Sequence, residues 1–407
     1  MKAADADALR ANFARHVCQT SAAPLGLVVE RAEGCWIWDA TGRRYLDLLS
    51  GIGVAALGHR HADVEAAIQR QSRRYLHTMV YGEHVQGPKV DLATCLAEVL
   101  PDPLSVTYFT NSGAEAVEGA LKTARKHTHR SGIVAFEGSF HGDTLGALSV
   151  GGNPIYRRPF EPLLPGVRFL PFDSTAALSA IDDTVAAAIV EPVQAEAGVR
   201  VPAPSFMAAL RRRTRDVGAL LVADEVLTGL GRCGRLLACE RFGIVPDLVV
   251  LAKALGGGLP LGAFVGAPDV MATLSHDPPL SHVTTFGGHP LSCAAGLASL
   301  RRIVGERLWE RAEARGRELH AGLEPLVTSG AATAVRSLGL LLAIELPSAP
   351  AAGRFVAGCL ERGVLAGWTL HDDRVVRLAP PLVLSEEERD VALAAMREAG
   401  AALHHAA

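Results

Sequence analysis

The chain has 407 residues, of which 49% are hydrophobic and 20% charged. This composition excludes a disordered protein, because disordered chains are poor in apolar residues. The length favours two or three domains, or one large lobe with an appendage. Forty basic residues against 43 acidic ones give a net charge of −3, which lacks the basic excess that binding to nucleic acid requires.

Nothing in the sequence predicts export, a membrane span or a metal site. The first twenty residues carry charges throughout and have no apolar core, so we expect no signal peptide. No run approaches 18 uninterrupted apolar residues. The seven cysteines lack paired metal-ligand spacing, and histidine pairs such as His404 and His405 lack partners at such spacing. We therefore expect a cytoplasmic protein with reduced thiols.

The predicted elements follow an α/β pattern, in which strands and helices alternate along the middle of the chain. Apolar runs separated by helices predict parallel strands that are buried on both faces. These runs occupy residues 105–110, 132–136, 187–190, 219–223 and 248–251. Residues 211–215 (RRRTR) predict the solvated face of a surface helix.

The C-terminal part has a different pattern. We predict one long charged helix over residues 301–323 and strands at 338–345 and 375–378. The sequence thus predicts a large α/β domain at residues 51–300 and a small α+β domain at 301–407, which residues 1–50 complete.

Ligands of open α/β sheets bind beyond the carboxyl ends of the strands. After the strand at 105–110, the pattern of Ser112 and Glu115 predicts a capping box at a helix N-terminus. Gly113 and Ala114 lie in the first turn of this helix, where free N–H groups can bind a phosphate.

Two further strands end in an acid and a lysine. Asp224 ends the strand at 219–223, and Lys253 follows the next strand, one strand–helix–strand step later. A lysine in the ligand crevice can have a lowered pKa and attack carbonyl groups. With the phosphate cradle, the pair matches the needs of pyridoxal 5′-phosphate (PLP); a structural ion pair between Asp224 and Lys253 is the alternative.

One motif suggests a nucleotide site that we reject. Residues 229–234 match GxGxxG letter for letter. However, no capped helix begins inside the motif, and no acidic residue closes a second strand about 20 residues later. We therefore do not predict nicotinamide binding.

Seven segments resemble class III aminotransferases of PLP fold type I. This group includes the acetylornithine, ornithine, 4-aminobutyrate, putrescine and diaminopelargonate enzymes. The resemblance extends from about residue 25 to the C-terminus, and it implies a large domain with a mixed, mostly parallel sheet beside a small α+β domain. The segments are FTNSGAEA (109–116), FHGDT (140–144), VEPVQ (190–194), ADEVLTG (223–229), LAKAL (251–255), TTFGGHPL (284–291) and VRLAPPL (376–382).

The resemblance implies a role for each matching residue. Lys253 binds the cofactor covalently and moves the substrate proton, and Asp224 keeps the pyridine nitrogen protonated. Thr285 reaches the cofactor phosphate of the neighbouring subunit, which implies an obligate homodimer with a shared active site. The cofactor-binding set is Ser112, Gly113, Ala114, Phe140, His141, Glu191, Asp224, Val226, Lys253 and Thr285.

The implied substrate-binding residues are Arg377, Glu196, Asp143 and Thr284. Arg377 clamps the α-carboxylate of glutamate or 2-oxoglutarate. Glu196 pairs with Arg377 when an amine without that carboxylate enters. The chain departs from the family where Asp143 replaces the Arg of an HGRT pattern, and where Leu227 replaces a Gln that many relatives have.

These features predict a PLP-dependent transaminase with 2-oxoglutarate or pyruvate as acceptor. Because Asp143 reverses the local charge preference, we expect the donor to be a diamine or basic amino compound, putrescine- or acetylornithine-like. Three alternatives stay open from the sequence: a diaminopelargonate-type aminotransferase, an aminomutase or racemase on the same fold, and a PLP-binding protein without turnover.

Overall fold

A computed structural model describes residues 3–403, so His404 and His405 lie outside the described residues. Its α-helices are α1 Ala3–His16, α2 Ser50–Gly53, α3 Ala62–Ser72, α4 Gly87–Val99, α5 Gly113–Thr128, α6 Leu145–Ser149, α7 Pro154–Arg157, α8 Pro204–Val217, α9 Pro268–Ala272, α10 Pro290–Gly305, α11 Leu308–Thr328, α12 Ala349–Glu361 and α13 Glu386–Leu403. Within this part of the chain, no helix is long and apolar enough to span a membrane.

The strands form three sheets. They are β1 Val29–Glu33, β2 Trp36–Asp39, β3 Arg44–Asp47, β4 Val106–Thr110, β5 Gly132–Phe136, β6 Val167–Leu170, β7 Val185–Val190, β8 Leu220–Asp224, β9 Leu248–Leu251, β10 Gly262–Gly266, β11 Ala334–Leu338, β12 Leu341–Glu345, β13 Val364–Leu365, β14 Gly367–Trp368 and β15 Val375–Leu378.

The large sheet has seven strands in the order β4-β10-β9-β8-β7-β5-β6. Strands β5 to β9 pair in parallel, whereas β10 is antiparallel to both β4 and β9. Every residue of β7 and β9 is buried, as the unbroken apolar runs predict for strands covered on both faces. The predicted mixed, mostly parallel sheet is therefore confirmed.

One of the two smaller sheets joins the N-terminal and C-terminal parts of the chain, and the other consists of C-terminal strands. In one, the N-terminal strand β3 pairs in parallel with β13, where Leu46 lies opposite Val364. The other is antiparallel, in the order β11-β12-β15-β14. The domain bounds at 50/51 and 300/301 remain predictions, and α10 continues through the second of them.

Three local predictions were wrong. The helix predicted at 301–323 is two helices, because Arg307 adopts a left-handed conformation with φ of +49° between α10 and α11. The strand predicted at 338–345 includes the turn between β11 and β12, where Gly339 has φ of +57°. In the basic run, Arg211 is not solvated but buried, because its guanidinium forms a bidentate ion pair with Asp247.

Helix α5 packs on one face of the large sheet, and a glycine allows its close approach. A Cβ atom on Gly119 would lie 2.2 Å from Cε1 of Phe264 in β10. The Phe264 ring cannot easily move, because it is fully buried and stacks on Tyr108 with 5.1 Å between ring centroids. The first turn of α5 is thereby held close to the end of β4.

We expect Gly119→Ala to destabilise the protein by about 1–3 kcal/mol, because the added methyl group overpacks the interface between helix and sheet. Gly353→Ala is the matched control, since Gly353 lies in α12 with no atom within 4 Å of its Cβ position. There the higher helix propensity of alanine should stabilise by about 0.5–1 kcal/mol. Thermal unfolding should show Tm changes of opposite sign, and equal changes would contradict the packing argument.

Candidate active site

A cavity of about 410 Å³ lies at the carboxyl ends of the central strands. This is where the doubly wound architecture places ligands. The structure brings most of the predicted residues to its wall. They are Ser112, Gly113, Ala114, Phe140, His141, Glu191, Glu196, Asp224, Val226 and Lys253.

The N-terminus of α5 forms one end of the cavity. Ser112 is the N-cap, and its Oγ accepts a hydrogen bond from the Glu115 N–H at 3.2 Å. The Glu115 carboxylate binds Asn111 N and Nδ2 instead of the Ser112 N–H, so the predicted capping box is shifted by one residue. The first N–H groups of the helix have no partners within it, and they are available to an anion.

Close packing beside this helix start requires glycine. A Cβ atom on Gly113 would lie 3.0 Å from both methyl carbons of Val226. The side chain of Val226 therefore packs directly against the helix backbone, and the two residues form adjoining parts of the cavity wall.

Asp224 ends β8 and is 5% exposed. Its Oδ2 lies 2.7 Å from Nδ1 of His141, and its Oδ1 accepts a hydrogen bond from Val226 N at 3.0 Å. A carboxylate has about four lone-pair positions, so Asp224 retains acceptor capacity toward the cavity. The Nε2 atom of His141 is buried without a hydrogen-bond partner among residues 3–403.

Lys253 follows β9 in a left-handed conformation with φ of +49°. Burial lowers its pKa below the usual value, and the nearby Arg377 charge lowers it further. The carboxylates of Glu196, Asp224 and Glu191 oppose this shift without cancelling it. A lowered pKa increases the fraction of neutral amine, which is the nucleophilic form.

Glu191 follows β7 and is buried beside Asp224. Burial raises its pKa well above the usual value, and the Asp224 charge adds to the effect. Its Oε1 accepts a hydrogen bond from Phe140 N at 2.9 Å, and its Oε2 accepts one from Ala195 N at 3.2 Å. Glu191 thereby fixes the backbone that carries the Phe140 ring at the cavity wall.

Glu196 lines the cavity, and Arg377, which is not among the lining residues, forms a buried ion pair with it. Glu196 Oε1 binds the Arg377 guanidinium, and its Oε2 accepts a hydrogen bond from Leu370 N at 2.9 Å. Nε of Arg377 has no hydrogen-bond partner among the described residues. The guanidinium therefore keeps donor capacity for a second carboxylate.

Asp143 lies outside this cavity, in a smaller annex of about 130 Å³. The annex shares Phe140 and Gly142 with the main cavity, and His371 and Tyr156 also line it. Their rings are stacked, with 5.5 Å between the centroids. Asp143 is exposed and forms no hydrogen bond or ion pair with another residue of the described chain.

The two predicted threonines do not reach the cavity of their own chain. Thr284 lies behind Asn111, where its Oγ accepts hydrogen bonds from Asn111 Nδ2 at 3.2 Å and from Gly287 N at 3.3 Å. Thr285 is exposed and lines neither the cavity nor the annex. Its predicted role toward a neighbouring subunit stays a prediction.

Sequence reasoning missed several residues of the wall. Val54 and the segment 258–261 line the cavity, and the glycine run 256–258 directly after Lys253 was the only signal for the latter. Leu370 holds Glu196 through a hydrogen bond between residues 174 positions apart, which no local pattern indicates.

The residues of the cavity fit PLP. The free N–H groups at the start of α5 suit a phosphate, and Asp224 faces the cavity as an acceptor for a protonated ring nitrogen. Phe140 and Val226 supply apolar surfaces for a flat ring, and Lys253 supplies the amine for the covalent bond. Leu227, which replaces the usual Gln, also lines the cavity.

Comparison with known proteins identifies the chain. The family described as aminotransferase class-III matches residues 17–399. An acetylornithine aminotransferase of Methanopyrus kandleri is 42% identical over 390 residues, covering 94% of this chain and 96% of that protein. A putrescine aminotransferase of Pectobacterium atrosepticum is 40% identical over 384 residues, covering 91% of this chain and 81% of that protein.

Solved structures of aminotransferases and transaminases have the same fold as this chain. An ornithine aminotransferase of Toxoplasma gondii has a TM-score of 0.92 at 32% identity, covering 100% of this chain and 97% of that one. Another structure of that enzyme is described with partial PLP occupancy at its active site. An (S)-enantioselective ω-transaminase of Thermomicrobium roseum has a TM-score of 0.90 at 31% identity, with 99% of each chain covered.

These similarities confirm the predicted fold, enzyme class and cofactor. The lysine, the acid and the anion site lie together in one cavity, where a PLP-dependent transaminase requires them. The chain belongs to the class III aminotransferases and is a PLP-dependent transaminase.

Proposed function

We propose that the enzyme transfers the terminal amino group of a diamine or basic amino compound, putrescine- or acetylornithine-like, to 2-oxoglutarate. The observation that carries the donor class is the unpaired carboxylate of Asp143 in an annex that adjoins the main cavity. The two relatives at 42% and 40% identity are named for acetylornithine and putrescine, both of which have a terminal amine, and of these putrescine has a second ammonium group at its far end.

Bound in the cavity, PLP supplies an electron sink for the bond that breaks at the substrate carbon. Ser112, Gly113 and Ala114 hold the phosphate at the start of α5. Asp224 holds a proton at the ring nitrogen, and His141 fixes the Asp224 carboxylate through their 2.7 Å contact. Lys253 Nζ moves the proton at the carbon that carries the amino group.

The pair of Glu196 and Arg377 allows two kinds of substrate. As the structure stands, Glu196 neutralises Arg377, so an amine without an α-carboxylate leaves no buried charge unpaired. A 2-oxo acid brings its own carboxylate, which replaces Glu196 as the partner of Arg377 through a bidentate pair. The Nε–H of Arg377 supplies one of the two donors.

The annex is suited to the far end of a cationic donor. Asp143 has no hydrogen-bond or ion-pair partner in the described structure, and the pKa of the neighbouring His371 is lowered by burial although the Asp143 charge opposes this. A distal ammonium group at this position therefore gains an ion pair without displacing one. The Tyr156 and His371 rings beside it offer flat surfaces for the carbon chain. A donor carboxylate at the same place would be repelled.

A half-reaction assay tests the proposal. Putrescine should bleach the visible absorbance of the yellow holoenzyme faster than N-acetylornithine, whose far end carries a carboxylate, and 2-oxoglutarate should restore the absorbance with formation of glutamate. Lys253→Ala should give no glutamate, because the proton-moving amine is lost. A wild-type enzyme that isomerises an amino compound without a 2-oxo acid would instead identify a mutase.

Asp143→Asn should lower kcat/KM for putrescine by about tenfold, because the distal ammonium loses its partner. Asp143→Arg should shift the preference toward donors with a distal carboxylate. The exposed Glu161→Gln is the matched control, since Glu161 lines neither the cavity nor the annex. An unchanged order of donors in both Asp143 variants would refute the role of the annex.

We also propose a cytoplasmic homodimer with a shared active site. All seven cysteines are free thiols, which agrees with a reducing compartment. Around Thr285, large apolar side chains are exposed on two neighbouring loops, which is typical of a surface that a partner covers. They are Leu76, Met79, Tyr81, Val85, Leu280, Val283 and Phe286.

In solution, light scattering should give twice the mass of one chain. Thr285→Ala should weaken PLP binding by about tenfold, because the partner's phosphate loses a charge-assisted hydrogen bond. Thr128→Ala, at the far end of α5, should leave PLP affinity unchanged. A monomeric mass for the active enzyme would rule out the shared site.

A further inference from the structure

The glycine-rich turn at 229–234 contains a buried arginine. Arg232 is 2% exposed, and its Nη1 donates hydrogen bonds to the carbonyl oxygens of Leu340, at 3.1 Å, and of Pro380. In return, the backbone oxygen of Arg232 accepts a hydrogen bond from Leu340 N at 2.9 Å. Three hydrogen bonds thus connect this single residue to two distant parts of the chain.

The carbonyl groups of Leu340 and Pro380 lie at the same end of the antiparallel strand pair β12 and β15. Leu340 directly precedes β12, and Pro380 follows β15 by two residues. Arg377 lies on β15 opposite Ala343 of β12. The side chain of Arg232 therefore holds together the ends of the two strands that carry and flank the carboxylate-binding guanidinium.

The turn is also tied to the end of β8 that carries Asp224. Gly229 N donates to the backbone oxygen of Glu225 at 3.0 Å. The buried Glu225 carboxylate accepts hydrogen bonds from Thr228 Oγ at 2.5 Å and from Cys239 N at 2.7 Å. Glu225, which directly follows Asp224, is thus bound to residues before and after the turn, Thr228 and Cys239.

The turn at 229–234 packs closely against the C-terminal part of the chain, at positions where both sides have glycine. A Cβ atom on Gly339, whose φ is +57°, would lie 2.5 Å from the backbone oxygen of Arg232. One on Gly231, whose φ is +99°, would lie 3.0 Å from Cδ1 of Leu382. These glycines permit an approach that larger residues would prevent.

A guanidinium is a costly choice for this position. Arg232 forms no ion pair with another described residue, and burial lowers its pKa to about 10. Burying a charge whose partners are neutral carbonyl groups costs free energy that an apolar side chain would not cost. The planar guanidinium does, however, fix the directions of the two N–H bonds of Nη1, which donate to the Leu340 and Pro380 carbonyl groups.

We propose that Arg232 is a positioning residue that sets Arg377 relative to Asp224 and Lys253, and so determines how well the enzyme binds an α-carboxylate. The inference rests on the proposed role of Arg377. Within the chain, the connection runs from Asp224 through the turn to Arg232, then through Pro380 to Arg377.

Arg232→Met and Arg232→Lys test the proposal in the PLP-loaded enzyme. Arg232→Met should raise the KM for 2-oxoglutarate and the Kd for glutarate, measured by calorimetry, by about tenfold or more, since small displacements of a binding group are costly. Arg232→Lys should recover part of this loss, because a lysine can reach one carbonyl group. The half-reaction rate with putrescine, which has no carboxylate, should change by less than about twofold.

Arg211→Met is the matched control, because Arg211 is also buried but pairs with Asp247 away from the cavity. It should lower Tm without changing the Kd for glutarate. A lowered Tm with an unchanged Kd for glutarate in both Arg232 variants, or an equal loss with glutarate and putrescine, would overturn the proposal.

Arg377→Met distinguishes a failure of the proposed role of Arg377 from a failure of the proposed role of Arg232. If it leaves the Kd for glutarate unchanged, the proposed role of Arg377 fails and the positioning role fails with it. If it raises this Kd while both Arg232 variants do not, only the role of Arg232 is wrong. Should Arg232→Met not fold, Arg232→Lys and Gly231→Ala, which displaces the same turn, give the decisive Kd values.

Discussion

The active site depends on the balance of charges around one buried amine. Lys253 shares its surroundings with the Arg377 cation and with the carboxylates of Glu191, Glu196 and Asp224. Unpaired charges in such a cavity are expensive, so each must be matched or neutralised. Burial favours a neutral Lys253 and a protonated Glu191, whereas Glu196 compensates Arg377 directly. The site thus keeps a nucleophilic amine, and Asp224 is the carboxylate that remains to balance a protonated ring nitrogen.

The parallel sheet brings these groups together, and local backbone strain completes the arrangement. Asp224 and Lys253 end neighbouring strands, so their proximity follows from the pairing of β8 with β9. Lys253 adopts φ of +49° where the chain leaves β9. Such a conformation is costly for a residue with a side chain, and here it directs the chain into the turn that precedes β10. The packing of the seven-stranded sheet offsets this cost.

The strands of the large sheet and the site residues at their ends could be predicted, because short stretches of the sequence carry the signal for each of them. The apolar runs of β7 and β9 predict buried parallel strands, and residues at strand ends predict the site. The burial of Arg211 could not be predicted, because its partner Asp247 lies 36 residues later in the chain, directly before β9. The break at Arg307 was equally hidden, since a left-handed residue leaves the helical spacing of apolar residues on either side almost unchanged. The contact between Leu370 and Glu196 depends on the tertiary fold alone.

That contact links the two substrate regions physically. Glu196 uses one oxygen for Arg377 and the other for Leu370 N, and Leu370 and the adjacent His371 line the annex. The Leu370 backbone oxygen in turn accepts a hydrogen bond from the Tyr156 hydroxyl at 2.6 Å. A carboxylate that replaces Glu196 Oε1 at Arg377 need not break the hydrogen bond between Leu370 N and Glu196 Oε2, because the two contacts use different oxygens. Glu196 therefore connects the two regions, whereas the proposed partners of the substrate charges, Arg377 for a carboxylate and Asp143 for an ammonium group, are separate residues.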